Sequence, residues 1–246
     1  MPTFDESFPS IEAALFRQYG RLVPSRTSSE GHDLFRSLAV ALLGRSVEPL
    51  KAAKILDALA ESGLIEPRAL SESEAIEVNE TLKASRVPLP GRLVGALMRL
   101  ARWYVDELGT GVDAPDDITA STEQLRESLG SVNGIGLATA DAILLFGLDR
   151  PAYPVDRASY RILARHGWID GTAEYAEAQS VLESPGQGDA SALQGLSLAM
   201  QRLGHDYCKA KVAKCQRCPL KPLLPPGGPI EPDGYEGDDG ESDEAG

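Results

Sequence analysis

The stretch from residue 121 to residue 166 constrains the fold of this chain more than any other. It reads STEQLRESLGSVNGIGLATADAILLFGLDRPAYPVDRASYRILARH, and a glycine-rich turn separates segments that have the apolar periodicity of helices. Ser121 and Gln124 have the spacing of a capping box, so we predict that a helix begins there. The turn at 132–136 is too rich in glycine to be helical and too short to form a pair of strands. The stretch therefore predicts two helices joined by a tight turn.

The glycine turn also has a chemical consequence. Gly134 and Gly136 flank the apolar Ile135, and glycine permits positive φ and leaves neighbouring N–H groups uncovered. These groups precede a helix, where unpaired donors and the helix dipole favour an anion such as a phosphate. Taken by itself, the turn is better explained as a corner between two helices that merely requires glycine.

The composition favours an all-α protein. Aromatic residues make up only 6% of the 246 residues, and no segment shows alternating β-branched residues. Since no apolar stretch reaches the length of a membrane span, we expect no membrane association. The N-terminus, MPTFDESFPS, is acidic and has no apolar segment typical of a secretory signal. We therefore expect a cytoplasmic, nucleoid-associated protein.

Further helices are predicted from start signals, stop signals and apolar periodicity. Ser71 and Glu74 have capping-box spacing, so one helix is expected to begin at Ser71. The predicted helices outside the central stretch are 9–20, 33–43, 48–62, 71–84, 91–108, 172–183 and 190–207.

The net charge of −13 is unevenly distributed. Residues 225–246 contain eight acidic residues and no basic one, together with four prolines and six glycines, which predicts a disordered acidic tail. Without this tail the chain has 24 basic and 29 acidic residues. Residues 201–221 contain six basic residues and one acid, Asp206. An acidic protein with such a basic face can still bind a phosphate backbone.

Two motifs resemble those of the helix-hairpin-helix DNA glycosylase superfamily (HhH-GPD), which includes endonuclease III. The first is Val132-Asn-Gly-Ile-Gly136 followed by Thr139-Ala140 and by Asp156. The segments ADAILLF and PVDRASYRILARHG in this part of the chain resemble the 3-methyladenine DNA glycosylase III branch more than endonuclease III itself. The second is Cys208-x6-Cys215-x2-Cys218, which has the spacing of the family's iron–sulfur loop. The resemblance extends over roughly residues 10–224 in layout.

The resemblance implies an all-α, two-lobed, endonuclease III-like fold with a cleft between the lobes. One lobe is expected to be a helical bundle over residues 30–146 that ends in the helix-hairpin-helix. The second is expected to combine residues 1–29 with 147–224 and to carry the degenerate iron–sulfur-type loop. The acidic tail, 225–246, would follow it.

Asp156 is the candidate catalytic residue. Cleavage of an N-glycosidic bond builds positive charge on the deoxyribose, and a carboxylate beside the sugar stabilises that transition state or orients water. Because Asp156 follows Pro154-Val155 and precedes DRASYRILARH, it is equally explained as a helix N-cap. The resemblance implies that it is both cap and catalyst.

The same resemblance implies a set of DNA-binding residues, because a base must leave the stack while the protein holds the phosphates. Arg45 or Ser46 stands where the family places a Gln or Asn that fills the gap left by the flipped base. An arginine at this position can stack and donate hydrogen bonds, or it can simply contact a phosphate. The candidate DNA-binding residues are Asn133, Gly134, Ile135, Gly136, Thr139, Arg45, Ser46, Arg157, Lys209, Lys211 and Lys214.

Two departures from the family pattern narrow the expected chemistry. In the bifunctional members a lysine that attacks the sugar follows the hairpin, whereas this chain has Ala138 there. A β-lyase step through this position is therefore excluded. The fourth cysteine of the family's cluster is expected at residue 224, which is a leucine. We therefore expect no cofactor. The alternative is a labile iron–sulfur cluster or zinc on Cys208, Cys215 and Cys218, with His205 as the candidate fourth ligand.

The sequence thus predicts a monomeric, monofunctional DNA glycosylase that binds double-stranded DNA and hydrolyses the N-glycosidic bond of a damaged base, an alkylated purine, in base excision repair. Two alternatives remain open at this point. One is a mismatch-specific glycosylase, and the other is a helix-hairpin-helix DNA-binding protein without catalytic activity.

Overall fold

The structure is a computed structural model that describes residues 2–23, 33–109, 117–186 and 188–231. These residues form eleven α-helices and no β-strand, so the expected all-α class is confirmed. The α-helices are α1 Phe4–Tyr19, α2 Asp33–Leu43, α3 Pro49–Glu61, α4 Pro67–Glu72, α5 Ala75–Ala84, α6 Gly91–Trp103, α7 Thr122–Ser131, α8 Leu137–Ala142, α9 Arg157–Arg165, α10 Tyr175–Glu183 and α11 Ala190–Asp206.

Two of the helices continue into π-helical turns. Helix α6 is extended by Tyr104–Leu108, and α8 is extended by Ile143–Gly147. Gly147 packs directly on α2, because a Cβ added there would lie 3.1 Å from Leu38 Cα. Tyr104 is buried edge-on against Phe35, with ring centroids 5.5 Å apart. The second helix of the hairpin is therefore embedded in the core through its π-helical end.

Internal packing divides the chain into two compact units. One unit is Pro24–Pro154, and the other combines Met1–Val23 with Val155–Gly246. The hairpin helices α7 and α8 lie in the first unit, whereas Asp156 and the three cysteines lie in the second. The boundaries predicted from sequence, at residues 29 and 146, lie several residues from these divisions.

Three predicted helix starts differ from the structure by more than one residue, and the smallest of these differences is that the helix predicted from residue 172 begins at Tyr175. Helix α1 begins before residue 9, because Thr3 and Glu6 form a capping box: Glu6 N donates to Thr3 Oγ1 at 3.2 Å, and Thr3 N donates to Glu6 Oε2 at 2.8 Å. The predicted helix 71–84 is two helices, α4 and α5. Its expected cap is absent, because the Ser71 hydroxyl donates back to the carbonyl of Arg68 at 2.8 Å instead of accepting from a following N–H. The extended Ser73 separates the two helices.

Ile230 and Glu231, which lie near the start of the predicted acidic tail, form hydrogen bonds with Arg165 of α9. Ile230 N donates to the carbonyl of Arg165 at 3.0 Å, and Glu231 is paired with the Arg165 guanidinium. The predicted disorder of 232–246 concerns residues outside the described part of the chain. Within the part that is described, no helix has the length and apolar character needed to cross a membrane.

A buried ion pair joins the two helices of the hairpin. The Asp141 side chain on α8 has no exposed surface, and Arg126 Nε on α7 donates to its Oδ1 at 2.6 Å. A second link comes from α6, where Trp103 Nε1 donates to Ser128 Oγ on α7 at 2.8 Å. Polar contacts as well as packing therefore hold the two helices on either side of the turn between α7 and α8.

We expect Arg126→Met to lower the free energy of unfolding by about 3–5 kcal/mol, because it withdraws the guanidinium from a carboxylate that is fully buried. Urea denaturation measures this change. Glu72→Gln is the matched control, because it breaks the exposed Arg68–Glu72 pair and should change the free energy by less than about 0.5 kcal/mol. Equal effects of the two variants would contradict the structural role of the buried pair.

Candidate functional site

The hairpin turn has the geometry of a short reversal anchored by one apolar residue. Ile135 is buried, and its N–H donates to the carbonyl of Val132 at 2.9 Å. Gly134 has φ +87°, which an L side chain rarely adopts, whereas Gly136 is an extended N-cap with φ −82°. Positive φ is therefore required at Gly134 but not at Gly136.

The hairpin leaves several backbone donors open. Gly134, Gly136 and Leu137 are exposed, and no described residue accepts a hydrogen bond from their N–H groups. The N–H of Ala138, the second residue of α8, is likewise without an acceptor in the described ranges. Such a row of uncovered donors before a helix favours an anionic ligand.

Arg99 on α6 contacts this turn. The sequence did not predict this contact. Its Nε donates to the carbonyl of Asn133 at 2.6 Å. A Cβ added to Gly134 would lie 2.9 Å from Arg99 Nη2, so the guanidinium lies directly against the glycine. No pattern in the sequence indicates that Arg99, a basic residue on an amphipathic helix, contacts a turn 34 residues later.

The remaining candidates of this unit lie close to the hairpin or at the end of α2. Thr139 is half-buried in the first turn of α8, and its N–H donates to the carbonyl of Gly136 at 2.9 Å. Arg45 and Ser46 lie in the turn after α2, where Ser46 N donates to Leu43 O at 2.9 Å. Arg45 is half-buried, and in the described ranges its guanidinium has no hydrogen-bond or ion-pair partner.

In the other unit, Asp156 is the N-cap of α9. Its Oδ1 accepts a hydrogen bond from Ser159 N at 2.7 Å, and the carboxylate is half-buried. Among the described residues, none is hydrogen-bonded to Oδ2. One oxygen therefore caps the helix while the other remains available, an arrangement compatible with both interpretations of this residue.

The basic candidates of this unit are exposed. Arg157 is the first residue of α9, and Lys209, Lys211 and Lys214 lie in the loop that follows α11. This loop is closed by a hydrogen bond from Lys214 N to Tyr207 O at 2.7 Å and by an isolated bridge between Cys208 and Ala213. The three lysines are thus presented on one compact loop.

The three cysteines line one small cavity of about 10 Å³. Leu224, at the position of the expected fourth ligand, also lines it, and so does His166. His205 does not line this cavity. It is exposed at the end of α11, with its Nδ1 3.0 Å from Asp206 Oδ1.

These residues do not fit the four-thiolate cluster that the family resemblance implies. In the described part of the chain, no three His, Cys, Asp or Glu side chains come together closely enough to hold a metal ion. Burial raises the pKa of Cys218 to about 11 and raises that of Cys215 as well. Leu224 supplies no ligand atom.

Known proteins are similar to this chain over part of their sequence. No family model matches it. It is 35% identical over 97 residues to the Methanocaldococcus jannaschii protein named "Putative DNA repair glycosylase MJ1434", an alignment that covers 39% of this chain and 44% of that protein. It is 20% identical over 200 residues to endonuclease III of Sulfolobus acidocaldarius, covering 81% of this chain and 85% of that enzyme. The chain spans less than half of the length of the first of these relatives.

Solved structures share the fold. An endonuclease III–DNA complex superposes with a TM-score of 0.63 at 17% identity, over 91% of this chain and 96% of the other. A thermostable thymine-DNA glycosylase superposes with a TM-score of 0.63 at 17% identity, over 89% and 94%. This chain has an endonuclease III-like fold. The resemblance expected from its two motifs is confirmed.

The two hairpin glycines are expected to respond differently to substitution. Gly134→Ala should lower the free energy of unfolding by roughly 1–2 kcal/mol, because alanine is strained at positive φ and its Cβ would approach Arg99 Nη2 to 2.9 Å. Gly136→Ala should change it by less than about 0.5 kcal/mol, because its Cβ meets no atom within 4 Å. Urea denaturation measures both.

DNA binding distinguishes the same two variants further. Gly136→Ala should weaken duplex binding by about tenfold despite its normal stability, because the methyl group crowds the uncovered N–H groups. Fluorescence anisotropy at fixed salt measures the affinity. Unchanged affinity in Gly136→Ala would contradict the assignment of these N–H groups as an anion site.

His166 should make the stability of the protein sensitive to acid. Burial lowers its pKa below the usual 6.5, its ring is stacked on Trp168, and its Nδ1 is 2.7 Å from the carbonyl of Ile162. Below about pH 6.5 the unfolded chain binds more protons than the folded one, so stability is present above that pH and falls as the pH decreases. Melting temperatures at about pH 7 and pH 5 should differ more in the wild type than in His166→Gln. His205→Gln, at an exposed histidine, should behave as the wild type.

Proposed function

We propose that this protein is a DNA glycosylase that hydrolyses the N-glycosidic bond of a damaged base without cutting the strand. The observation that carries the proposal is the Asp156 carboxylate, which caps α9 through Oδ1 and keeps Oδ2 without a hydrogen-bond partner in the described ranges. The sequence relationship to repair glycosylases and the endonuclease III-like fold support the same activity.

Asp156 would act on the sugar rather than on the base. As the base leaves, the deoxyribose acquires oxocarbenium character, and a fixed negative charge beside it lowers the barrier. A carboxylate that is held by a helix N-cap is already oriented before substrate binds, so little reorganisation is needed at the moment of reaction. The same carboxylate can orient the attacking water on the sugar.

The strand would remain intact because the chain has no lysine at the position after the hairpin. Ala138 occupies it and has no nucleophilic atom. One relative, from Arabidopsis thaliana and 28% identical over 172 residues, is named "DNA glycosylase/AP lyase ROS1", so lyase activity exists among similar proteins. The difference at residue 138 supports hydrolysis as the outcome in this chain.

The uncovered N–H groups at Gly134, Gly136 and Leu137 would hold a DNA phosphate. Arg157 and the lysines at 209, 211 and 214 are exposed cations that would contact further phosphates. Arg45, whose guanidinium is not engaged by any described residue, would enter the gap left by the flipped base. Double-stranded DNA is therefore the proposed partner.

We propose an alkylated purine as the substrate, following the resemblance of the PVDRASYRILARHG segment to 3-methyladenine DNA glycosylase III. An alkylated purine carries positive charge and leaves more readily than a normal base, which suits a protein with one catalytic carboxylate and no lysine nucleophile. A mismatched thymine is the competing substrate, and both are tested together.

We expect Asp156→Asn to lower base release by at least about a hundredfold, because the substitution removes the negative charge beside the sugar. Asparagine is an equally good N-cap, so stability and duplex affinity should remain near those of the wild type. The assay uses duplexes with methylated, oxidised, deaminated or mismatched bases, and abasic sites are cleaved with alkali before electrophoresis.

Each result of this assay has a distinct meaning. Cleavage that needs alkali, lost in Asp156→Asn, supports hydrolysis without lyase activity. Cleaved strand before alkali treatment contradicts the proposed absence of lyase activity. Wild-type binding without release of any base would leave only the DNA-binding alternative, and release from mismatched thymine alone would replace the proposed substrate.

A further inference from the structure

The loop after α11 is fastened to α9 by two buried arginines. Arg161 donates from Nε and from Nη2 to the carbonyl of Cys208, at 2.9 and 2.8 Å. Arg165 donates to the carbonyl of Lys209 at 2.7 Å and to that of Ala210 at 3.0 Å. Three successive backbone carbonyls of the loop are therefore held by guanidinium groups from one helix.

Arg165 also contacts the first cysteine of the family motif. Its Nη1 lies 3.4 Å from Cys208 Sγ, within hydrogen-bond reach of the sulfur. Only 3% of the Arg165 side chain is exposed. A guanidinium remains protonated in proteins, so a positive charge is buried here.

A buried cation of this kind needs a counter-charge, and Glu231 supplies it. Glu231 Oε2 accepts from Arg165 Nη2 at 3.0 Å and from Nε at 3.3 Å. The adjacent Ile230 N donates to the carbonyl of Arg165 at 3.0 Å. The chain beyond Leu224 thus returns to α9 and binds the same arginine through main chain and side chain.

We propose that this arrangement, which we call the arginine clamp (Arg161, Arg165 and Glu231), positions the basic loop 207–218 without a metal. In the family pattern a fourth thiolate closes the loop, whereas here Leu224 lines the cavity and the clamp supplies the fastening. The three residues are positioning residues, since they act through the loop and not on substrate.

The clamp explains how a loop with an incomplete ligand set keeps a defined structure. Hydrogen bonds from a charged donor are stronger than those between neutral groups, and five of them reach the carbonyl and sulfur atoms of residues 208–210. This segment contains the exposed Lys209 and directly precedes the exposed Lys211. The consequence for DNA rests on the proposed function, in which those lysines contact phosphates.

The test measures hydrogen exchange of the loop in the full-length protein, so that it does not depend on DNA or activity. Glu231→Gln should raise amide exchange in residues 207–218 by about tenfold, because it removes the counter-charge of Arg165. Arg165→Met should raise it further. Glu177→Gln changes the net charge by the same amount at an exposed position of α10 and should leave the loop unchanged.

Metal dependence is tested on the same protein. EDTA or o-phenanthroline should change neither the exchange of 207–218 nor the melting temperature, and purified protein should contain no stoichiometric iron or zinc. A bound metal whose removal loosens the loop would overturn the proposal. So would unchanged exchange in Glu231→Gln, which preserves the fold even if Arg165→Met does not.

DNA affinity separates this proposal from the proposed function. Glu231→Gln should weaken duplex binding, measured by fluorescence anisotropy, in parallel with the increase in loop exchange, whereas Glu177→Gln should not. If exchange increases and affinity does not change, the clamp is supported and the assignment of the loop lysines to DNA fails. If exchange does not change, the clamp fails whatever the affinity.

Discussion

The helix-hairpin-helix depends on one carboxylate that is completely removed from water. Asp141 has no exposed side-chain surface, and Arg126 compensates its charge from the neighbouring helix. An unpaired buried carboxylate would be strongly destabilising, so the pairing fixes the relative position of α7 and α8. The turn between the helices then has little conformational freedom, and Gly134 adopts the positive φ that the turn requires.

The residues around the turn hold its backbone N–H donors in fixed positions. Arg99 holds the carbonyl of Asn133, and buried Ile135 holds the centre of the turn, while the N–H groups around them stay uncovered. A phosphate site made of N–H groups has no side chains to orient it, so the surrounding contacts must do so. The proposed DNA contact therefore depends on the protein contacts that hold these N–H groups in place.

The second unit uses arginines in a similar way. Arg161 and Arg165 lie on α9, the helix capped by Asp156, and they hold the loop that carries the lysines. One short helix thus carries the candidate catalytic carboxylate at its start and the attachment of the basic loop further along. A change in α9 would affect both, so the proposed chemistry and the proposed DNA contacts depend on the same helix.

The sequence by itself determined the helical class, the hairpin, and Asp156 as a candidate N-cap of α9, because capping boxes, glycines and apolar periodicity act over a few residues. It misplaced the start of α1 and merged α4 with α5, since competing caps such as Thr3 and Ser71 differ only in the partner that each side chain finds. Only the tertiary structure decided the roles of Arg99, Arg161 and Arg165. Their acceptors are mostly backbone carbonyls, which every residue has, so no residue type marks those contacts in the sequence.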